Sequence, residues 1–140
     1  MDIAARVRLP LLLLRLSVFV VMLAWTTMKF VDPARSAGIF KKFYHLPDIG
    51  TAITYTLGGL EVLLLLGFVA GFQKRFTYGA VLVLHAVSTL SSYQQYISPF
   101  QSNNLLFYAA WPMLAACFAL YMLRDLDTLC AVQDIANEQL

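Results

Sequence analysis

Four long apolar segments, separated by short polar stretches, dominate the pattern of the chain. They cover about residues 9–30, 51–72, 76–97 and 104–123. Each is long enough to cross the hydrocarbon core of a bilayer, which takes about 20 mostly apolar residues. The apolar runs are continuous and do not alternate with polar residues, so they indicate helices and not the strands of a membrane barrel. With short loops between them, they predict an all-α integral membrane protein, an antiparallel four-helix bundle.

The first apolar segment is predicted to be a retained helix. A cleaved signal peptide has a shorter apolar core, with a small-residue cleavage site soon after it. Here the core is longer, contains Arg15 and is followed by no such site. We therefore expect a single transmembrane domain over residues 1–140. Residues 124–140 are expected to be a short acidic cytoplasmic tail that forms a frayed surface helix.

The connection between the first and second segments has a helical pattern of its own. Asp32 followed by Pro33 is typical of a helix start, an N-cap acceptor and then a residue with a preset φ angle. Apolar side chains recur at helical spacing around Phe40 and Phe43, beside two lysines. This pattern predicts a short amphipathic helix on the membrane surface that ends before Pro47. An ordinary surface loop is the alternative.

The composition favours a membrane location and gives no sign of a nucleic-acid partner. Of the 140 residues, 60% are hydrophobic and 13% are charged, whereas soluble domains are about 25% charged. A chain of this length cannot hide so many apolar residues in a soluble core, so the lipid bilayer is the expected partner. The net charge of +2 is too small to indicate a surface that binds nucleic acid.

The basic residues near the segment ends indicate an orientation. Cytoplasmic loops of membrane proteins carry an excess of Lys and Arg. The side with more of them holds Arg6, Arg8, Lys74, Arg75 and Arg124, and the other side holds Arg35, Lys41 and Lys42, with Lys29 close by. We therefore expect both termini in the cytoplasm and the long loop outside, with the chain in a bacterial inner membrane.

Four ionisable residues, Arg15, Lys29, Glu61 and His85, lie inside the apolar segments. Ionisable side chains are costly in a membrane, so each is a candidate functional residue. Glu61 and His85 both fall near the middle of their segments. Arg15 and Lys29 are fourteen residues apart, which at about 100° per residue returns to within about 40° of one helix face. If that face is turned inward, Arg15 approaches Glu61 from the cytoplasmic side and His85 lies at the depth of Glu61.

Polar side chains are concentrated in the half of the bundle that is predicted to lie outside. This asymmetry predicts a polar pocket that opens outward, with Glu61 and His85 at its floor as candidate catalytic residues that exchange protons. The candidate substrate-binding residues are Arg15, Trp25, Lys29, Ser88 and Asn104. The alternative is structural: buried Glu, Arg and His side chains neutralise one another and hold the helices in register.

Neither metal nor thiol chemistry is indicated by the sequence. The two cysteines, Cys117 and Cys130, form no CxxC pair, so no redox dithiol or zinc site is signalled and no metal ligands are assigned. No haem-ligand pair, flavin motif or iron–sulfur cysteine set is evident either. An oxidoreductase that uses this chain therefore needs a partner to supply electrons.

The polar residues and their order resemble the DoxX-like family of small four-helix membrane proteins. The stretches that carry the resemblance are LRLSVFVVMLAWTTMKFVDPA, GIFKKFYHLP, GGLEVLLLLGFVAGFQKR and SNNLLFYAAWPMLAACFALYM, which extend from about residue 14 to residue 123. The family pattern has an arginine near the start of the first helix, a lysine near its end, a following DP pair, and a G-x-E core in the second helix. By this resemblance Arg15, Lys29 and Glu61 form the shared polar core.

The resemblance implies two kinds of function. Relatives include a membrane subunit linked to thiosulfate oxidation with quinone as acceptor, and subunits of membrane-associated oxidoreductase assemblies. Similar eukaryotic proteins assist receptor assembly or cargo export. The first hypothesis is therefore a membrane subunit of an oxidoreductase assembly, with a pocket for a quinone or another small molecule. The alternative is a non-catalytic scaffold or assembly factor for partner proteins. A homo-oligomer is left open, and a solute carrier is disfavoured because no internal repeat is present.

Overall fold

Residues 2–132 are described in a computed structural model of the chain, and every regular element among them is helical. The prediction of an all-α protein is confirmed over this range. The helices are α1 (Ile3–Val31), α2 (Pro33–Tyr44), α3 (Thr51–Val69), α4 (Lys74–Ser91), α5 (Tyr93–Ile97) and α6 (Ala110–Met122). One 3-10 helix, Asn104–Ala109, leads directly into α6, and another, Arg124–Leu126, follows it.

Three of the described helical stretches are long and apolar enough to cross a membrane. They are Ile3–Val31, Thr51–Val69 and the continuous stretch Asn104–Met122. Their presence indicates an integral membrane protein. The predicted segment 76–97 differs from the other three. Its helix, α4, is 18 residues long and begins with Lys74 and Arg75, so both charges fall within it, and α5 follows only after a break at Ser92.

The long helices α1, α3, α4 and α6 pack side by side in chain order, and α6 closes the ring against α1. Their apolar core is concentrated near one end, where α1 and α4 begin and where α3 and α6 end. The buried core residues are Leu11, Val18, Leu65, Phe68, Tyr78, Val81, Cys117 and Leu120. Phe68 and Tyr78 meet edge to face there, with ring centroids 5.0 Å apart. Large side chains therefore fill the end of the bundle that holds the N-terminus of α1.

Helix α2 forms where the sequence predicts it. The Asp32 carboxylate accepts a hydrogen bond from the Arg35 N–H at 3.0 Å, and Pro33 occupies the first helical position. The helix ends at Tyr44 because His45 adopts a left-handed conformation with φ of 55°. α2 packs across α1, α3 and α4, so it covers the end of the bundle opposite the apolar core.

The segment after α6 is packed against the bundle over its described part, so the prediction of a frayed surface helix from residue 124 is wrong there. Asp127 and Ala131 are fully buried. The Val132 N–H donates to the Ala70 carbonyl at 2.8 Å. Gly71 permits this docking, because it has a φ of 66° and a Cβ there would lie 2.7 Å from the Ala131 Cβ. The rest of the predicted tail, residues 133–140, lies outside the described residues.

Candidate functional site

Lys29 of α1 and Glu61 of α3 form an ion pair, with 2.9 Å between Nζ and Oε2. Thr26 lies three residues before Lys29, on the same face of α1. Its hydroxyl is 2.9 Å from Glu61 Oε2 and also 2.9 Å from the Met22 carbonyl, and with one proton it can donate to only one of them at a time. The sequence predicted both charged residues as candidates, and the structure brings these two together.

Glycine at position 58 allows α1 to approach α3 at this level. A Cβ on Gly58 would lie 2.8 Å from the Phe30 ring and 3.3 Å from the Lys29 Cβ. Distances below about 3 Å are not compatible with an unmoved neighbour, so a larger residue would push Phe30 away. Gly58 is also one turn before Glu61, so the close approach lies beside the ion pair.

Aromatic rings border the Lys29–Glu61 pair. The Lys29 Nζ lies 5.7 Å from the centroid of the Phe40 ring in α2, within the range of a cation–π contact. Phe30 and Tyr55 stack with centroids 5.9 Å apart. The Lys29 side chain is 12% exposed and that of Glu61 24%. The pair is therefore partly covered by apolar groups but still reachable from outside the protein.

Arg15 is not part of this site, contrary to the expectation that it approaches Glu61. It lies fourteen residues before Lys29, about 21 Å along the helix axis. Its Nη1 is 3.3 Å from Oδ2 of Asp127, and neither side chain is exposed. Its guanidinium also donates to the backbone carbonyls of Leu129 and Cys130. Arg15 therefore ties the segment after α6 to α1.

Tyr78 and Lys74 of α4 complete the polar cluster around Asp127. The Tyr78 hydroxyl donates to Asp127 Oδ2 at 2.7 Å and accepts from Arg15 Nη1 at 3.1 Å. The Lys74 ammonium donates to the Asp127 carbonyl at 2.8 Å. Sequence reasoning missed Asp127 and Tyr78. One signal was available. A buried arginine needs a carboxylate nearby, and Asp127 is a carboxylate at the same end of the bundle as Arg15.

His85 is also separate from Glu61, contrary to the predicted shared floor of a pocket. Its Nε2 donates to the Ala110 carbonyl at 3.0 Å, so the imidazole links α4 to the start of α6. Its own carbonyl accepts from the Thr89 hydroxyl at 2.7 Å. His85 is 9% exposed, and its Nε2 is already hydrogen-bonded. The contact therefore holds α4 against α6.

The remaining predicted binding residues do not converge on Glu61. Trp25 is 58% exposed and Ser88 is exposed, so both side chains face away from the bundle. The Asn104 amide donates to the Ser98 carbonyl at 2.9 Å and holds the loop before α6. Hydroxyl groups nearby bond to the carbonyl four residues earlier, as Ser91 does to Val87. Such local bonds satisfy hydroxyls inside apolar helices without a shared pocket.

The arrangement around Lys29 and Glu61 offers defined chemistry. A lysine ammonium supplies N–H donors, and a carboxyl group accepts hydrogen bonds or holds a proton. Among residues 2–132, no three His, Cys, Asp or Glu side chains are grouped so that they could hold a metal ion. Over residues 2–132, fold and site together define an all-helical integral membrane protein with a partly exposed ion pair between two candidate membrane-spanning helices. In comparisons with known proteins, no family model, curated protein or solved structure matches the chain.

Proposed function

We propose that α4, continued by α5, is a fourth membrane span, which makes the chain an antiparallel four-helix membrane bundle with α2 at the outer surface. α4 packs between α3 and α6, both of which belong to apolar stretches long enough to span. Its 18 residues extend about 27 Å, close to the roughly 30 Å of a hydrocarbon core. Its two cations lie in the first turn, where Lys74 is bound by the Asp127 carbonyl and Arg75 is exposed.

The proposal places both termini in the cytoplasm of a bacterial cell, with the chain in the inner membrane. Its support is the distribution of basic residues. Five basic residues, Arg6, Arg8, Lys74, Arg75 and Arg124, lie at the end of the bundle where α1 begins, against three at the other end, Arg35, Lys41 and Lys42. Lys and Arg in excess at one side of a membrane protein favour the cytoplasmic side.

The Lys29–Glu61 pair is proposed as a site that binds the polar head of a small amphipathic molecule, within a DoxX-like membrane subunit of an oxidoreductase assembly. The observation that carries this proposal is the difference between two ion pairs. Arg15 and Asp127 are sealed at 0% exposure, whereas Lys29 and Glu61 remain 12% and 24% exposed. A purely structural pair does not need exposed surface, but a binding pair must be reachable from the membrane or from the outer side.

A quinone head fits the chemistry of this pair. Lys29 has N–H donors for a ring carbonyl oxygen, and Glu61 is a group that can hold or release a proton beside it. The rings of Phe30, Tyr55 and Phe40 provide apolar surface for a planar ring system. A bound quinone would supply electron-accepting chemistry, with electrons delivered by a partner subunit. The residues of this chain bind the head, orient it and exchange a proton at Glu61.

Tryptophan fluorescence provides a direct test of quinone binding. The chain has two tryptophans, Trp25 and Trp111, and Trp25 is one turn before Lys29. In a Trp111→Phe background, in nanodiscs, we expect a ubiquinone analogue with a shortened tail to quench Trp25 in a saturable way. Glu61→Gln should weaken the apparent affinity about tenfold, because the Lys29 ammonium that donates to the ring carbonyl loses the carboxylate that positions it, an effect of roughly 1.5 kcal/mol.

The exposed ion pair between Lys41 and Asp48 supplies the control. Asp48 is 92% exposed at its side chain and its carboxylate is 3.9 Å from Lys41, so Asp48→Asn removes a carboxylate without touching the proposed site. Its affinity should equal that of the unmodified chain. Absence of saturable quenching, or equal affinity in Glu61→Gln, would refute quinone binding at this pair.

A scaffold or assembly factor is the second candidate, and one observation favours it. Ile97, the last residue of α5, is 75% exposed, and Phe100, in the loop beyond the proposed spans, is 90% exposed. An exposed apolar loop of this kind is typical of a surface that contacts a partner protein. If this function holds, Phe100→Ser should reduce recovery of a co-purifying subunit, while Glu61→Gln should leave that recovery unchanged. Leu106→Ser, at a residue 73% exposed on the helix that leads into α6, is the matched control.

A further inference from the structure

A small cleft lies between the C-terminal end of α2 and the junction of α4 with α5. Its polar lining includes Lys42, His45, Gln94 and Gln95. No acidic residue is among its lining residues. We propose that the mouth of this cleft is a phosphate-binding site, occupied by the phosphate of a membrane lipid headgroup. The proposal is independent of quinone binding at Lys29 and Glu61.

The charge of the cleft comes from Lys42. Within residues 2–132 this lysine forms no salt bridge, although its Nζ lies 5.3 Å from the centroid of the Phe43 ring. The preceding residue is different, because Lys41 pairs with Asp48 at 3.9 Å. The charge of Lys41 is therefore compensated by a carboxylate, whereas Lys42 brings an uncompensated positive charge to the cleft. An anion is the ligand that such a cleft favours.

Gln95 supplies the second, independent observation. Its side chain lines the cleft, the residue is only 8% exposed, and its Oε1 is buried with no hydrogen-bond partner among the described residues. Buried polar atoms are nearly always bonded, so an unpaired one points to a missing ligand atom. Oxygen and nitrogen of a glutamine amide exchange places by a simple rotation. In that orientation the amide has an N–H donor at the unpaired position, and a phosphate oxygen satisfies it.

The position of the cleft identifies the source of the phosphate. It lies at the end of the bundle where α1 and α4 end and where α3 begins, at Thr51. This is the end of the membrane-spanning stretches, so it coincides with the headgroup layer of a bilayer. A lysine at that level interacts with lipid phosphates, while the rings of Phe43 and Tyr93 line the same cleft and suit the boundary between water and acyl chains.

Native mass spectrometry of the full-length protein in a neutral maltoside detergent tests this proposal. The probes are phosphatidylglycerol and a diacylglycerol with the same acyl chains, which lacks the phosphate. We expect saturable binding of phosphatidylglycerol only. Lys42→Gln should weaken it about fivefold, since one lysine near lipid phosphate contributes about 1 kcal/mol, and Lys41→Gln should change it less than about twofold. Gln95→Leu, which changes no charge, should also weaken it measurably.

Each outcome decides the proposal. If Lys41→Gln and Lys42→Gln weaken the affinity for phosphatidylglycerol equally, the effect is one of general surface charge and the proposal is overturned. Binding of the diacylglycerol as tight as that of phosphatidylglycerol would also overturn it. If Gln95→Leu does not fold, the comparison of the two lysine variants still decides. A parallel titration with inorganic phosphate distinguishes the sources. Lipid binding that free phosphate does not displace supports the headgroup as occupant, whereas tight phosphate binding that displaces the lipid would overturn that assignment.

Discussion

Arg15 of α1 forms an ion pair with Asp127, which follows α6, at 3.3 Å between Nη1 and Oδ2. Both side chains are fully buried. Removing one partner leaves the other charge buried and unpaired, which costs about 3–5 kcal/mol. We expect Asp127→Ala and Arg15→Ala each to lower the free energy of unfolding by about this amount. Denaturant titration in detergent micelles, followed by circular dichroism, measures it.

Two further variants show whether the loss reflects pairing. The exposed Lys41–Asp48 pair should contribute no more than about 1 kcal/mol, so Asp48→Ala should be nearly neutral. Replacing both buried residues together, by Arg15→Met and Asp127→Leu, removes the two charges at once and should cost less than either alanine variant. In the matched cycle, an Arg15→Ala/Asp127→Ala double variant whose loss equals the sum of the two single losses would mean that the two side chains act independently.

The adjacent glycines Gly58 and Gly59 should differ sharply in their tolerance of alanine. A Cβ at Gly58 would lie 2.8 Å from the Phe30 ring, whereas a Cβ at Gly59 would meet nothing within 4 Å. Overpacking costs about 1–3 kcal/mol, while alanine is favoured over glycine in a helix interior by about 1 kcal/mol. We expect Gly59→Ala to be neutral or stabilising and Gly58→Ala to be less stable than it, measured by thermal unfolding. Equal stability would show that α1 and α3 are not in close contact there.

The helices were predictable because their signals are local. A continuous apolar run indicates a membrane helix wherever it lies, and Asp32 followed by Pro33 indicates a helix start from two neighbouring positions. The break of the third segment at Ser92 was not predicted, because no proline or glycine marks it and the polar residues around it, Ser91, Ser92 and Gln95, were interpreted as part of an outward-facing pocket. The docking of Asp127 depends on how the chain folds back after α6, and sequence spacing does not specify that.

The candidate site was partly predictable for a similar reason. Position along an apolar segment follows from counting residues, so Glu61 and Lys29 were selected as charges inside apolar helices, and the structure pairs them. The direction of a side chain around the helix axis depends on how the helices are rotated against one another. His85 shares the predicted depth of Glu61 but faces α6, where it bonds to the Ala110 carbonyl. Arg15 and Lys29 share a helix face but lie too far apart along it to reach one carboxylate.

His85 should matter for stability and not for ligand binding. Its Nε2 donates to the Ala110 carbonyl at 3.0 Å, and an intramolecular hydrogen bond of this kind contributes about 1 kcal/mol. We expect His85→Leu to lower the unfolding free energy by about that amount and to leave quenching of Trp25 by the quinone analogue unchanged. A His85→Leu variant that folds normally but binds the quinone analogue about tenfold more weakly, as Glu61→Gln is expected to, would restore His85 to the binding site.

The two cysteines provide a test of the proposed orientation. Cys117 lies in α6 and is 2% exposed, whereas Cys130 is exposed at the end of the bundle where α1 begins. If that end is cytoplasmic, a membrane-impermeant maleimide added to intact cells should not label the protein. The same reagent should label Cys130 after the inner membrane is made permeable, and Cys130→Ala should abolish that labelling while Cys117→Ala retains it. Labelling of Cys130 in cells whose inner membrane is intact would place both termini outside and reverse the proposed topology.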